Sequence, residues 1–230
     1  MDKSEILQRI KHKLIVSCQA LDNEPLYSSF IMGRMAVAAQ EGGAAGIRAN
    51  SPEDIRQIKK VVDLPIIGLY KVEYTDSSVY ITPTMKEVDA LMEVGVDIIA
   101  VDATKCIRPN GQTFEEFFKA VKQKYPNQMF MADTSCYEEG VKAKELGLDI
   151  VGTTMSGYTE HTRGVSLPNY ELMKKYVETL DMPIIAEGGI WTPEQLKAAL
   201  DLGIWAAVVG TAITRPREIT KHFLKGLSNQ

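Results

Sequence analysis

Histidine and cysteine are both scarce, with three of each in 230 residues. Cys18, Cys106 and Cys136 form an odd set without metal-ligand spacing. Each reads as a reduced, small core residue of a cytoplasmic protein, where disulfides are rare. None has a neighbouring histidine, so nothing supports cysteine-nucleophile chemistry. His12 and His222 fall in the terminal helical stretches, on faces expected to be solvated. His161 lies in the segment SGYTEHTRG, where it is either solvated or in touch with a ligand. No two histidines are spaced for one ion, and no metal is expected.

Charge of one sign is lacking too. Lys and Arg number 26 and Asp and Glu 30, well mixed, for a formal net charge of −4. That balance gives no electrostatic case for nucleic acid or an anionic membrane as partner. No apolar run approaches the roughly 18 residues of a spanning helix. The start, MDKSEILQRIKHK, is charged and amphipathic, has no apolar signal-peptide core, and predicts an extra N-terminal helix. No Gly/Ser/Pro-rich linker or low-complexity tract divides the chain, so one domain over 1–230 is expected.

What the chain does have is a repeated unit. Short apolar runs occur at 14–20, 44–49, 65–71, 97–103, 129–135, 149–155, 183–189 and 206–212. They are almost continuously apolar rather than alternating, the pattern of parallel strands covered on both faces. Amphipathic segments follow near 26–41, 52–62, 84–94, 113–125, 137–146, 169–180, 193–202 and 216–227. Ser51–Pro52 and Thr192–Pro193 place a cap residue before a proline, which suits a helix start. Gly95, Gly147 and Gly203 fall where a left-handed residue ends a helix. Eight strand–helix units in this length fit an α/β fold of the (β/α)8 TIM-barrel type. A doubly wound open sheet is the alternative, though it would normally use fewer strands.

In such a barrel the active site lies at the C-terminal ends of the strands. The runs end in Gln19, Arg48, Lys71, Asp102, Asp133, Thr153 with Thr154, Glu187, and Gly210 with Thr211. Any one of these is accounted for by a buried hydrogen bond or ion pair. Eight at one rim are better explained by a site. Gly188 and Gly189 allow a sharp turn that brings bare N–H groups close to a ligand. With Gly210, Thr211 and a helix starting near Arg215–Pro216, they form the pattern of a phosphate site. Arg215 would add charge-assisted bonds. Lys71 and Glu187 would face one cavity from strands four apart. A desolvated lysine acts as a base near neutral pH. A Schiff-base role and a purely structural Lys–Glu ion pair stay open beside it. Trp191 and Trp205 read as packing residues.

The blocks LIVSCQAL, EPLYSSFIMGRMAVAAQEGGAAGIRAN, PIIGLYKVEY, ITPTMKEVDAL, MADTS, GTTMSGYT, IIAEGGIWTPEQ and VVGTAITRPREIT occur in this order. Together they resemble the N-acetylmannosamine-6-phosphate 2-epimerases over about residues 14–225. The resemblance implies interconversion of N-acetylmannosamine 6-phosphate and N-acetylglucosamine 6-phosphate, a step in N-acetylneuraminate (sialic acid) catabolism. It makes Lys71 the proton-transferring base and Glu187 its partner in ring opening. It places Gln19, Arg48, Asp133 and Thr154 at the sugar, and Gly188, Gly189, Gly210, Thr211 and Arg215 at the phosphate. It also implies no metal, no organic cofactor and a homodimer. A Schiff-base sugar-phosphate aldolase using the same lysine is the second reading, and a non-catalytic sugar-phosphate sensor the third.

Overall fold

The computed structural model describes residues 2–227; Met1 and 228–230 of the expected span lie outside the described residues. Eight parallel strands close into one barrel in sequence order. They are β1 Leu14–Cys18, β2 Gly46–Asn50, β3 Ile66–Leu69, β4 Ile98–Asp102, β5 Met129–Asp133, β6 Ile150–Gly152, β7 Ile184–Glu187 and β8 Ala206–Val209. The helices are α1 Lys3–Ile10, α2 Ser29–Glu41, α3 Pro52–Lys59, α4 Met85–Val94, α5 Phe114–Lys124, α6 Tyr137–Glu145, α7 Tyr170–Thr179, α8 Pro193–Asp201, α9 Thr211–Thr214 and α10 Pro216–Lys225. Closure by β1 on β8 settles the choice against an open sheet.

The near-continuous apolar runs are explained by two buried layers. Ile15, Ile67, Ile98, Met129, Ile150 and Ile185 point into the barrel, and their neighbours Val16, Ile47, Ile99, Phe130, Val151 and Ile184 pack under the helices. Helix α1 adds Ile6 and Ile10 to the inner layer, and Lys3 pairs with Asp149 just before β6. It therefore covers the N-terminal end of the barrel and leaves the C-terminal end open. The helix starts follow from their caps. Ser51 accepts from the Asp54 N–H with Pro52 in the first turn, and Thr192 forms a capping box with Gln195. Gly95, Gly147 and Gly203 all adopt positive φ, as their positions predicted.

Four expectations need correcting. Cys18 is buried between barrel and helices, and burial pushes its thiol up to about 12, but Cys106 and Cys136 are only half-buried. His12 lies beyond the end of α1, at a positive φ of 55°. His222 is not simply solvated: its ring stacks on Trp191 at 4.5 Å and 14°. Trp191 thus stacks as well as packs, while Trp205 donates to the Leu7 carbonyl as a packing residue should. Helix α10 carries an apolar stripe that is uncovered among the described residues. None of its residues is buried, and Phe223 is 75% exposed.

Candidate active site

A cavity of about 1040 Å³ opens at the C-terminal end of the strands. Gln19, Arg48, Lys71, Thr154, Glu187, Gly188, Gly189, Gly210, Thr211 and Arg215 all line it. Asp133 does not. It ends β5 with no exposed surface, behind Arg48 and Thr154. Arg48 also sits deeper than expected, in the middle of β2, whose last residue is Asn50. Asn50 accepts from the Lys71 backbone N–H at 2.8 Å and so fixes the backbone that carries the amine.

Four charged groups dominate the floor. Arg48 grips Asp133 with both terminal nitrogens, at 3.1 and 2.5 Å, and one of them also reaches Glu187 at 3.2 Å. The Thr154 hydroxyl lies 2.6 Å from Asp133 and 3.2 Å from Glu187. Burial works against the charge on Arg48, but Asp133 and Glu187 outweigh it and the guanidinium stays charged. Glu187 moves the other way. Burial first, and then repulsion from Asp133, raise its carboxyl well above the ordinary carboxylate range despite Arg48. Lys71 forms no ion pair among the described residues. Burial, reinforced by the positive charges of Arg48 and Arg215, lowers its amine to about 8. The purely structural Lys71–Glu187 pair is therefore not what the geometry contains.

One wall of the cavity is a glycine turn. Gly188 and Gly189 adopt φ of 106° and 74°, in the left-handed region. At Gly189 a Cβ would lie 2.4 Å from the Leu167 Cβ, so no larger residue fits. Beside it, after the neighbouring strand, Gly210 caps α9, a four-residue helix that the sequence did not announce. The expected helix start at Arg215–Pro216 is that of α10. Arg215 leans toward the cavity and is held by Glu24 at 3.2 Å; Glu24 is itself fixed by the Leu21 N–H. Glu24 escaped the sequence reading because the segment LDNEPLY carries no periodicity. The segment after β3 was missed for the same reason. Val72 N–H donates to the Tyr80 carbonyl and Thr82 N–H to the Tyr70 carbonyl, folding 71–82 into a hairpin over the mouth. That fold brings Tyr80 and Ile81 to the cavity.

His161 lies in its loop, but the ring is engaged: Nε2 is 3.0 Å from Ser135 Oγ and 3.3 Å from Glu139. Cys136, Glu139 and His161 bring ligand atoms within 4.8 Å of one another, away from the cavity lining. The Glu139 oxygens already accept from the Ser135, Cys136 and Lys105 N–H groups, and burial pushes the Cys136 thiol up. That is a turn-closing network rather than a set of free ligands.

A parallel barrel whose open end gathers an unpaired amine, a raised carboxyl and a glycine cradle has the layout of a barrel enzyme doing acid–base chemistry on a small anionic molecule. Comparison with known proteins narrows this. Residues 32–229 match the model of a family described as "Putative N-acetylmannosamine-6-phosphate epimerase". A Caldanaerobacter subterraneus protein named "Putative N-acetylmannosamine-6-phosphate 2-epimerase" is 54% identical over 220 residues, 96% of this chain and 93% of that one. One of the same name from Clostridioides difficile is 52% identical over 222 residues, 96% and 99% of the two chains. The solved structure of the N-acetylmannosamine-6-phosphate 2-epimerase from Clostridium perfringens superposes with a TM-score of 0.91 at 53% identity, covering 95% of each chain. The chain belongs to the N-acetylmannosamine-6-phosphate epimerase family.

Proposed function

We propose that this protein interconverts N-acetylmannosamine 6-phosphate and N-acetylglucosamine 6-phosphate by moving the proton at C2. The observation that carries the reading is the amine of Lys71, lowered to about 8 and without an ion pair among the described residues, facing the same cavity as Glu187. Inversion at C2 breaks a C–H bond that is acidic only beside a carbonyl. The closed pyranose has none, so the ring opens first. Glu187, with its carboxyl raised, exchanges a proton with O1 or O5 in that step. The C1 aldehyde then acidifies C2, and neutral Lys71 takes the proton.

The electron pair left at C2 moves onto O1 as an enolate. The Lys71 ammonium just formed and the fixed charge of Arg48 stabilise it without reorganising. Return of a proton to the opposite face of C2, the electron pair moving back from O1, and ring closure complete the inversion. Asp133 touches no substrate in this scheme; it holds Arg48 and Thr154 in place. The glycine turn, Gly210–Thr211 and Arg215 hold the phosphate, which orients the far end of the open chain. Gln19 offers its carbonyl to the sugar: Oε1 is buried and makes no hydrogen bond in the protein, while its amide donates to Ser17.

The test is NMR of the purified protein with N-acetylmannosamine 6-phosphate in D₂O. N-acetylglucosamine 6-phosphate carrying deuterium at C2 is expected. Absence of both product and label would end the proposal. A homodimer belongs to the same reading, because the exposed apolar face of α10 suits a second copy. Analytical ultracentrifugation should give twice the chain mass, and a monomer at micromolar concentration would refute it.

A further inference from the structure

The hairpin after β3 carries an aromatic ring to the reacting end of the cavity, and neither the amine nor the carboxyls account for it. Tyr80 is half-buried, with its ring centroid 6.0 Å from Lys71 Nζ. Among the described residues its hydroxyl has one partner, the Met155 sulfur at 4.0 Å, and a thioether is a weak acceptor. Met155 is 3% and Ile81 2% exposed, and both line the cavity beside Tyr80. The result is an apolar recess with one strong donor, within reach of the charged groups at the reacting end. Burial pushes the Tyr80 hydroxyl up to about 12, so it keeps its proton.

Covalent geometry says what lies there. For Lys71 to take the C2 proton, C2 must come within about 3–3.5 Å of Nζ. The acetamido nitrogen is bonded to C2, so standard bond lengths place its carbonyl and methyl about 4–6 Å from the amine. Arg48, Glu187 and Arg215 bring charge to Lys71, and a methyl set against them would strip water from it. Tyr80, Met155 and Ile81 line the same cavity and offer apolar surface instead. We infer that Tyr80 and Met155 form the seat of the substrate's N-acyl group. Tyr80 Oη donates to the amide carbonyl, and Met155 with Ile81 walls in the methyl. The recess is thus the specificity filter that passes N-acetyl and rejects longer acyl chains. A flexible thioether suits that wall, since its volume decides which chain fits.

This inference rests on the proposed epimerisation, and the experiment separates the two. Turnover of the N-acetyl, N-propanoyl and N-butanoyl forms of mannosamine 6-phosphate would be measured for the wild type, Tyr80→Phe and Met155→Ala. With Tyr80→Phe, KM for the N-acetyl substrate should rise about tenfold with kcat changed less than about threefold, the loss of one hydrogen bond to bound substrate. With Met155→Ala, kcat/KM for N-butanoyl relative to N-acetyl should rise at least about tenfold, because one methylene in an apolar pocket is worth about that much. An unmoved acyl-chain ratio, or an unchanged KM in Tyr80→Phe, overturns the inference while wild-type epimerisation stands. A wild type that epimerises nothing removes the parent reading instead. Should Met155→Ala fail to fold, Tyr80→Phe keeps the ring and decides alone.

Discussion

Lys71→Met should abolish the reaction and make the protein more stable. Both effects have one cause, an amine held where water cannot solvate its charge. A positioned base contributes about 10²–10⁴ to a rate, so kcat should fall at least about a thousandfold, and C2 deuterium exchange should vanish with it. The sign of the stability change follows from the direction of the shift. The amine titrates near 8 in the folded chain rather than at its ordinary 10.5. Below pH 8 the folded state carries a proton that the unfolded chain holds more comfortably. That cost is fully present at pH 7 and fades as pH rises from 8 through 10.5. At 1.36 kcal/mol per unit it amounts to about 3 kcal/mol at most. Methionine fills similar volume without charge, so a gain of about 1–3 kcal/mol at pH 7 is expected. For a chain of this size that is a rise of several degrees in Tm, shrinking to nothing above pH 10.5. In the wild type, kcat/KM should fall about tenfold per unit as pH drops below 8, as the neutral amine is lost. Retained exchange in the variant would remove Lys71 from the base role. A lower Tm would show that burial is not what depresses the amine.

The fold was largely legible because strand and helix wrote different patterns. Runs such as DIIAVDA hold four successive apolar residues, as a strand covered on both faces requires, and β4 carries that burial along its whole length. Ser51–Pro52 and Gly95 punctuate the helices through backbone chemistry that needs no tertiary context. Of the eleven site residues named, ten line one cavity, while the strand ends Asp102 and Thr153 do not. Depth was not legible. Arg48 and Asp133 differ from their neighbours by a step of barrel register, and the closed ladder alone sets that step. Asp133 therefore looked like a substrate contact and proved to be the buried partner of Arg48. The hairpin at 71–82 was invisible for another reason. Its bonds are few and joined by isolated bridges, so VEYTDSSVYITP has neither period. Tyr80 was lost with it, because its meaning depends on distance to Lys71 and not on sequence spacing.

Asp133→Asn should be the most damaging conservative change in the floor of the cavity. Arg48 is 1% and Asp133 0% exposed, so the pair is effectively dry. Taking the charge from Asp133 leaves the buried Arg48 with only Glu187 to compensate it, a loss that approaches the figure of about 3–5 kcal/mol for a broken buried pair. Thermal unfolding should therefore shift down by about 10 °C or more, at roughly 2–4 °C for each kcal/mol. A second consequence separates this from mere loosening. Asp133 is the charge that repels Glu187, and Arg48 is the one that draws it toward ionisation. With Asp133 neutral, Glu187 becomes the sole carboxylate on Arg48, and its titration should move down toward the ordinary carboxylate range. Carbon-13 NMR of the labelled glutamate side chain would follow that movement. Arg48→Met combined with Asp133→Leu should recover part of the lost stability, since apolar residues of similar volume replace the buried pair and Glu187, left without Arg48, takes a proton. It should recover none of the turnover, because the fixed positive charge beside the enolate goes with the arginine. If Asp133→Asn melts within a degree of the wild type, or Glu187 does not move, the floor of this site is not the charge-coupled unit argued here.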